Sequence, residues 1–336
     1  MAQKHILIVG SGSVGKRHAR NLSMLGCSIS GVDPREDRRR ELSEAVNAVN
    51  TYATLDEALA AETFDGAVIA SPPKYHVDQA CTALTRGLPV LLEKPVAPDL
   101  ESALALRRVV ESTGAPLLLG YTWRWWEPLQ YVRELLQRKT VGQLLSAGFI
   151  MSAHLADWHP WESYRDFFMS SKELGGGALL DESHWIDVML WFFGRPRQLF
   201  ARIDKISSLD IETDDNVDIM VEYTDGLRVT LHLDLYGRPH EKSIRLVGEE
   251  GTIYWTTEPN QIALSKTMEK KWDVTEYSCE RNDMFVQLAK DFLEMLRGTP
   301  VNKCTIDDGV AVLEIIEAVR QSSREQRMIA LAGGSR

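Results

Sequence analysis

The chain of 336 residues has only four cysteines, no long apolar run and no surplus of positive charge. Cys27, Cys81, Cys279 and Cys304 lie far apart and make no metal-ligand spacing. That points away from a zinc module or disulfide scaffold and towards reduced cytosolic residues. No stretch approaches the roughly 20 apolar residues of a membrane span, and the apolar run in MAQKHILIVG is too short for a secretory signal. A cytoplasmic protein with no membrane partner is therefore expected. Lys and Arg number 38 against 48 Asp and Glu, and the formal charge of −10 weighs against a nucleic-acid partner. With 44% apolar and 26% charged residues, and neither Gly nor Pro in excess, the composition is that of a soluble globular protein whose length suggests two domains.

What is present first is a strand that runs into glycines. Ile6–Val9 leads into Gly10-Ser11-Gly12-Ser13-Val14-Gly15, and Lys16 to Leu25 follows with a helical pattern that puts Val14, Ala19, Leu22 and Leu25 on the apolar side. This is GxGxxG between a strand and a helix: Gly10 for the tight turn, Gly12 for room beside a pyrophosphate, Gly15 for close helix–strand packing. Free N–H groups at the helix start would meet the phosphate charge. A second strand, Ser28–Val32, ends in Asp33, eighteen residues past Gly15, near the spacing of an acid that accepts the adenine-ribose hydroxyls. Asp33 would face the charge of a 2′-phosphate, so NAD is expected over NADP, although Arg35 and Arg38–Arg40 could offset that repulsion.

The β–α pattern repeats. Gly66–Ala70 is a strand that stops at Ser71-Pro72-Pro73, which places Ser71 and Pro72 at the cofactor edge. His76, at the start of the next helix, either approaches the cofactor or packs in the first turn. Leu88–Pro95 (LPVLLEKP) is a short buried strand cut off by Glu93, Lys94 and Pro95. In an open α/β sheet that end faces the ligand, so Glu93, Lys94 and Pro95 are candidates for contact with the reacting end of the cofactor. Leu100–Thr113 and Pro116–Gly120 complete a Rossmann-type parallel sheet. Residues 1–120 thus form a dinucleotide-binding domain. Residues 121–336 form a substrate-binding and oligomerisation domain, whose C-terminal helix is able to pack back on the first.

Beyond Gly120 lies an aromatic stretch, Tyr121–Trp126, in which Arg124 could contact a polar ligand or lock the junction. Asp157–Arg165 mixes Trp158, His159, Glu162, Tyr164 and Arg165. Flat rings with donors and acceptors suit a sugar, and equally a subunit contact. Gly175–Gly177 then leads into a single buried helix that ends at Gly194, with Asp181, His184 and Asp187 spaced so that neighbours can share one face. His184 could be a general base tuned by an acid. It could also be a satisfied core histidine, and with one imidazole on the helix no metal site is expected. From Gln198 to Trp255 the pattern turns to strands, with Asp225-Gly226 as a hairpin signal. A mostly antiparallel sheet would bury one face on the His184 helix and offer the other to a second copy, as a homodimer or homotetramer.

In order and spacing, Gly10/Gly12/Gly15, Ser71-Pro72-Pro73 with His76, Glu93-Lys94-Pro95, Arg124 and Gly175–Asp187 resemble the Gfo/Idh/MocA oxidoreductase family, over nearly the whole chain. The family is named for glucose-fructose oxidoreductase and inositol dehydrogenase. The resemblance implies an α/β protein, a Rossmann domain followed by an α/β domain with an open, predominantly antiparallel sheet. It also implies a site between them for a sugar, cyclitol or nucleotide-linked sugar. By that resemblance Lys94 matches the catalytic-site lysine and Pro95 its often cis neighbour, while Asp181 and His184 occupy the Asp–His region, His184 as proton acceptor. Many members space that Asp and His four apart. Here they are three apart, which leaves Asp181 or Asp187 open as the partner of His184. Substrate-side candidates are Lys94, Arg124, Trp158, His159, Tyr164, Arg165, Asp181 and His184. The activity implied is NAD(P)-dependent oxidation or reduction of a secondary hydroxyl or keto group. Two rivals keep the scaffold: a lyase or hydrolase using transient oxidation, and a non-catalytic dinucleotide-binding regulator.

Overall fold

The computed structural model describes residues 3–158, 163–266 and 271–331, apart from the side chain of Phe168. The chain divides into two compact units, Met1–Trp125 with Glu280–Val310, and Trp126–Cys279 with Ala311–Arg336. Among the described residues no helix is long and apolar enough to cross a membrane.

The first unit alternates strictly: β1 (His5–Val9), α1 (Ser13–Met24), β2 (Ser28–Val32), α2 (Glu36–Val46), β3 (Thr51–Tyr52), α3 (Leu55–Ala61), β4 (Gly66–Ile69), α4 (His76–Thr85), β5 (Val90–Leu92), α5 (Leu100–Thr113) and β6 (Leu117–Leu119). The six strands are parallel in the order β3-β2-β1-β4-β5-β6. Helices cover both faces of such a sheet, so its central strands are mainly apolar; Ile6, Leu7, Ile8, Val68, Ile69, Val90, Leu91 and Leu92 have no exposed surface. The order reverses direction between β1 and β4, which is where an open α/β sheet leaves a crevice beyond its strand ends. On α1 the expected inward stripe is corrected at one position. Val14 is exposed, because the first turn stands beyond the sheet edge, whereas Gly15, His18, Ala19 and Leu22 face the core.

The second unit begins with α6 (Glu127–Gln137) and β7 (Leu144–Ser152). The single helix expected across Asp181–Asp187 is two: α7 (Ala178–Asp181) and α8 (Ser183–Phe193), broken at Glu182. The strands β8 (Gln198–Asp204), β9 (Asn216–Glu222), β10 (Arg228–Asp234), β11 (Glu241–Gly248), β12 (Gly251–Thr257), β13 (Asn260–Ser265) and β14 (Asp273–Glu276) follow. The chain then returns to the first unit with α9 (Arg281–Met295), continues in α10 (Ile306–Glu325), and ends in β15 (Ile329–Ala330). Ile329 pairs with Leu199 and Ala330 with Gln198, which adds β15 to the edge of the second sheet.

The nine strands of this sheet run β14-β13-β12-β11-β7-β10-β9-β8-β15, all neighbours antiparallel except β7 and β10. Side chains alternate between faces. Ala147, Phe149 and Met151 of β7, and Val229, Leu231 and Leu233 of β10, are buried. Helix α8 contributes Trp185, whose ring lies 6.0 Å from Trp255 and 6.5 Å from Phe149, and Phe193, 6.2 Å from Phe149. Truncating a core ring such as Trp185 to Ala costs about 3–5 kcal/mol. The opposite face carries exposed Ile150 of β7 and Met220 of β9, on either side of β10, with exposed Trp272 lining the same groove.

On that outer face His232 sits between two carboxylates, 2.7 Å from Asp218 Oδ1 and 3.1 Å from Asp234 Oδ2. The hydrogen bond to Asp234, reinforced by Asp218, pushes its pKa up to about 9. A raised histidine pKa stabilises the fold below the unfolded value near 6.5, and that contribution is lost as pH rises through about 9. With 36% of the side chain exposed, solvent screening reduces the effect to the order of 1 kcal/mol. Denaturant titrations at pH 7 and pH 10 should show the wild type losing that much more stability than His232→Gln; equal losses would contradict the assignment.

Candidate functional site

The glycine loop separates into positions the fold requires and one it does not. Gly10 has φ +91°, and a Cβ there would lie 2.6 Å from Ser71 N. A Cβ on Gly15 would lie 1.8 Å from the Gly10 carbonyl oxygen. Gly12, the residue before α1, is different: the nearest atom to its would-be Cβ is Arg38 Nη1 at 3.5 Å. It offers no side-chain cap, and the first turn has no acid. The start of α1 therefore presents backbone N–H groups beside an open space, which fits a dinucleotide's pyrophosphate. Ser13 and Val14 are exposed at this end and Ser11 is buried.

Asp33 closes the loop from the side. Its Oδ2 accepts from Ser11 N–H at 2.8 Å and its Oδ1 from Arg35 N–H at 3.0 Å, so one buried carboxylate ties the end of β2 to the glycine turn. Arg35 pairs with Asp37, and Arg39 Nη1 donates to the carbonyls of Asp33 and Pro34.

The turns after β4 and β5 complete the same edge. His76 is buried, with Nδ1 2.7 Å from the Pro95 carbonyl and Nε2 2.7 Å from the Ser71 carbonyl. Burial pushes its pKa down, opposed by the two carbonyls and by Glu93, with Lys94 acting in the same sense as burial. His76 is thus packed at the start of α4, on the same sheet edge as the glycine loop. Glu93 is also buried. Its Oε1 lies 2.7 Å from His18 Nε2 and its Oε2 accepts from Lys94 N–H at 3.2 Å. Lys94 is half-buried, and the Lys94–Pro95 bond is cis.

His18 was not among the expected site residues. The signal was there: it falls four residues before Leu22 and seven before Leu25, a polar residue on the inward stripe of α1. Arg124, offered as ligand contact or junction lock, is 4% exposed. Its Nη1 donates to the Lys303 carbonyl at 2.7 Å and its Nη2 to Asp308 Oδ1 at 3.1 Å. Asp308 Oδ2 meanwhile accepts from the N–H and hydroxyl of Thr305, at the start of α10. Arg124 thus fastens the returning segment of its own unit.

In the second unit the residues around His184 are set by a loop. Gly177 has φ +111°, and a Cβ there would lie 2.3 Å from Asp214 Oδ1. Asp214 accepts from Ala178 N–H through its carbonyl and from Leu179 N–H through its carboxylate, anchoring the start of α7. Burial pushes the Asp214 carboxyl up. Its neighbour Asp215, fully buried, accepts from Ile206 N–H, Ser207 N–H and the Ser207 hydroxyl. Only the polar run Thr213–Asn216 before a strand hinted at this pair. Asp181 ends α7, His184 is half-buried in the first turn of α8, and Asp187 is buried on the same helix as His184. Of the two neighbouring pairs expected to share a face, only His184 and Asp187 lie on one helix, because the break at Glu182 separates Asp181 from His184.

Trp158 is half-buried, and His159 lies outside the described residues. Tyr164 accepts at its hydroxyl from Asp210 N–H, and exposed Arg165 binds Asp210 at 2.7 Å while its guanidinium stands 5.0 Å from the Tyr164 ring centre. The structure thus brings Gly10–Gly15, Asp33, Ser71, Pro72, His76 and Glu93–Pro95 to one sheet edge. Arg124 and Arg165 are occupied by carboxylates of their own units.

The loop geometry separates two glycine substitutions. Gly15→Ala should prevent stable folding or lower Tm by several degrees, since backbone must move. Gly12→Ala should leave Tm within about 2 °C of wild type yet weaken NADH binding, read by fluorescence titration, at least about tenfold. A Gly12→Ala variant with unaltered affinity would contradict the pyrophosphate assignment.

Residues 4–121 match the model of an oxidoreductase family with an NAD-binding Rossmann fold, and residues 129–254 match the GFO/IDH/MocA C-terminal domain. The chain is 27% identical over 332 residues to the rhizopine catabolism protein MocA of Rhizobium meliloti, covering 96% of this chain and 95% of that one. It is 30% identical over 190 residues to an inositol 2-dehydrogenase of Leifsonia xyli subsp. xyli, covering 56% and 52%. Among solved structures, a levoglucosan dehydrogenase in complex with NADH superposes with a TM-score of 0.88 at 15% identity, over 98% of this chain and 99% of that one, a likeness of fold. With both domain models matched in order and the glycine loop fit for a dinucleotide, the chain belongs to the Gfo/Idh/MocA family of NAD-binding oxidoreductases.

Proposed function

We propose that this oxidoreductase interconverts a secondary hydroxyl and a keto group on a sugar, cyclitol or nucleotide-linked sugar, in the cytoplasm, with NAD preferred over NADP. The observation that carries the reading is the position of Lys94: two residues past β5, on the edge that holds the glycine loop, in a segment held to α1 by the Glu93–His18 bond and facing His76 of α4 through the Pro95 carbonyl. Relatives named for inositol and levoglucosan support the polyol class. Asp33 supports NAD, since its charge would oppose a 2′-phosphate, and Arg35 and Arg39 already have partners.

Backbone N–H groups at Ser13–Gly15 and the Asp33 carboxylate would hold the dinucleotide, with Ser71, Pro72 and Pro95 towards its nicotinamide end. When bound, that ring supplies hydride transfer. His184 takes the proton from the substrate hydroxyl, or returns it in the reverse direction. Lys94 stabilises negative charge developing on the same oxygen. Asp187, on the helix of His184, orients the imidazole. Asp181, at the preceding helix end, contacts substrate, and Trp158 offers a ring for a sugar face.

A screen of free and nucleotide-linked sugars and inositols, with NAD and NADP in parallel, should find a substrate that produces NADH. Lys94→Met and His184→Ala should each lower kcat on it by at least about 100-fold. If both kept the wild-type rate, the catalytic assignment would be wrong, and turnover without NADH accumulation would instead indicate transient oxidation.

The outer face of the second sheet supports a second copy as partner, in a homodimer or homotetramer. Ile150 and Met220 leave apolar surface beside Phe200 and Trp272, in a groove of about 750 Å³. Sedimentation velocity should show an oligomer that Ile150→Asp with Met220→Asp reduces to monomer; unchanged sedimentation would exclude this face.

A further inference from the structure

The segment Glu93–Pro95 is gripped from two sides by buried histidines that make no part of the mechanism above. His18, in the second turn of α1, has no exposed surface, and its Nε2 lies 2.7 Å from Glu93 Oε1. A carboxylate only accepts, so the proton of this bond is on Nε2. His18 Nδ1 is buried without a hydrogen-bond partner among the described residues, and the ring packs edge-on against Phe285, centres 5.5 Å apart. The imidazole therefore has one polar task, to hold Glu93, whose other oxygen accepts from the N–H of Lys94 itself.

His76 grips the other side. Its two nitrogens face two carbonyl oxygens, Pro95 and Ser71, each at 2.7 Å. A neutral imidazole has one N–H and can donate to only one of them at a time. With the proton on Nδ1 the ring ties the residue after Lys94 to α4; with the proton on Nε2 it ties α4 to the turn after β4.

We propose that His18 and His76 are positioning residues that fix the backbone on either side of Lys94, so that the phosphate-binding helix, the Ser71 turn and the lysine move as one body. The proposal rests on the reading of Lys94 as catalytic. Neither histidine touches substrate. Each acts on the rate through where Lys94 stands, and an error near 1 Å in such a group costs on the order of 100-fold.

Side-chain amides separate the two links of His76. Asn places its NH₂ near the position of Nδ1 and Gln near that of Nε2, so His76→Asn keeps the Pro95 link and His76→Gln keeps the Ser71 link. For His18, Gln retains a donor towards Glu93, whereas Leu removes it. On an active substrate, His18→Leu and His76→Gln should lower kcat about 10- to 100-fold, with NADH Kd within about threefold of wild type. His18→Gln and His76→Asn should keep kcat within about threefold. Circular dichroism and Tm identify any variant that has not folded, and the amide variants preserve the comparison if His18→Leu fails.

Wild-type kcat in folded His18→Leu or His76→Gln would overturn the proposal. So would equal losses in both amide variants of His76, which would mark the ring as packing alone. Lys94→Met serves as the separate control. If it retains the wild-type rate, the catalytic reading of Lys94 fails. If it is impaired but His18→Leu lowers its residual single-turnover rate by the same factor as in the wild type, Lys94 stands and the positioning role fails, since residues acting through one another are not additive.

Discussion

Parallel alignment of the first sheet is the constraint on which the rest depends. When β1, β2, β4 and β5 all run the same way, the residues that follow them must emerge along one edge. Gly10, Asp33, Ser71 and Glu93 are distant in sequence, yet each is the first or second residue after its strand. The apolar strands need their neighbours for burial, and helices on both faces exclude water from the sheet. Polar chemistry is left to the strand ends.

That edge is held by buried polar groups rather than by apolar packing. Asp33 binds the N–H of Ser11, Glu93 binds His18 and the N–H of Lys94, and His76 lies between the carbonyls of Pro95 and Ser71 with one N–H to donate. Buried charges of this kind add little net stability, but removing one partner strands the other, at a cost of about 3–5 kcal/mol for a buried pair. They give geometry. An apolar contact tolerates sliding, whereas a carboxylate between two donors accepts few arrangements. This sheet edge is therefore specified more narrowly than the core of the unit.

In the second unit the same principle works through a loop. Asp214 and Asp215 take up backbone N–H groups on the segments they join, and Gly177 leaves the space that Asp214 fills. The short helix that ends in Asp181 starts on that carboxylate, and the break at Glu182 lets α8 begin with His184 in its first turn. Beneath it, Trp185 and Phe193 hold α8 on the buried face of the nine-stranded sheet.

Local signals in the chain determined a good deal. Strand–glycine–helix order, alternating apolar strands and the prolines at Pro72 and Pro95 are short-range properties, and they foretold both sheets and the strand end on which Lys94 stands. The end of α8 at Gly194, with φ +73°, was legible for the same reason. Partnerships between distant residues were not legible. Nothing near Arg124 says that its guanidinium meets Lys303 and Asp308, nothing near His18 names Glu93, and the start of the short helix that ends at Asp181 rests on Asp214, far along the chain. Hydrophobic periodicity is written residue by residue, so sequence determines which elements form and which face they bury. A hydrogen bond between buried polar groups depends on where two elements finally pack, and only the tertiary structure decides that.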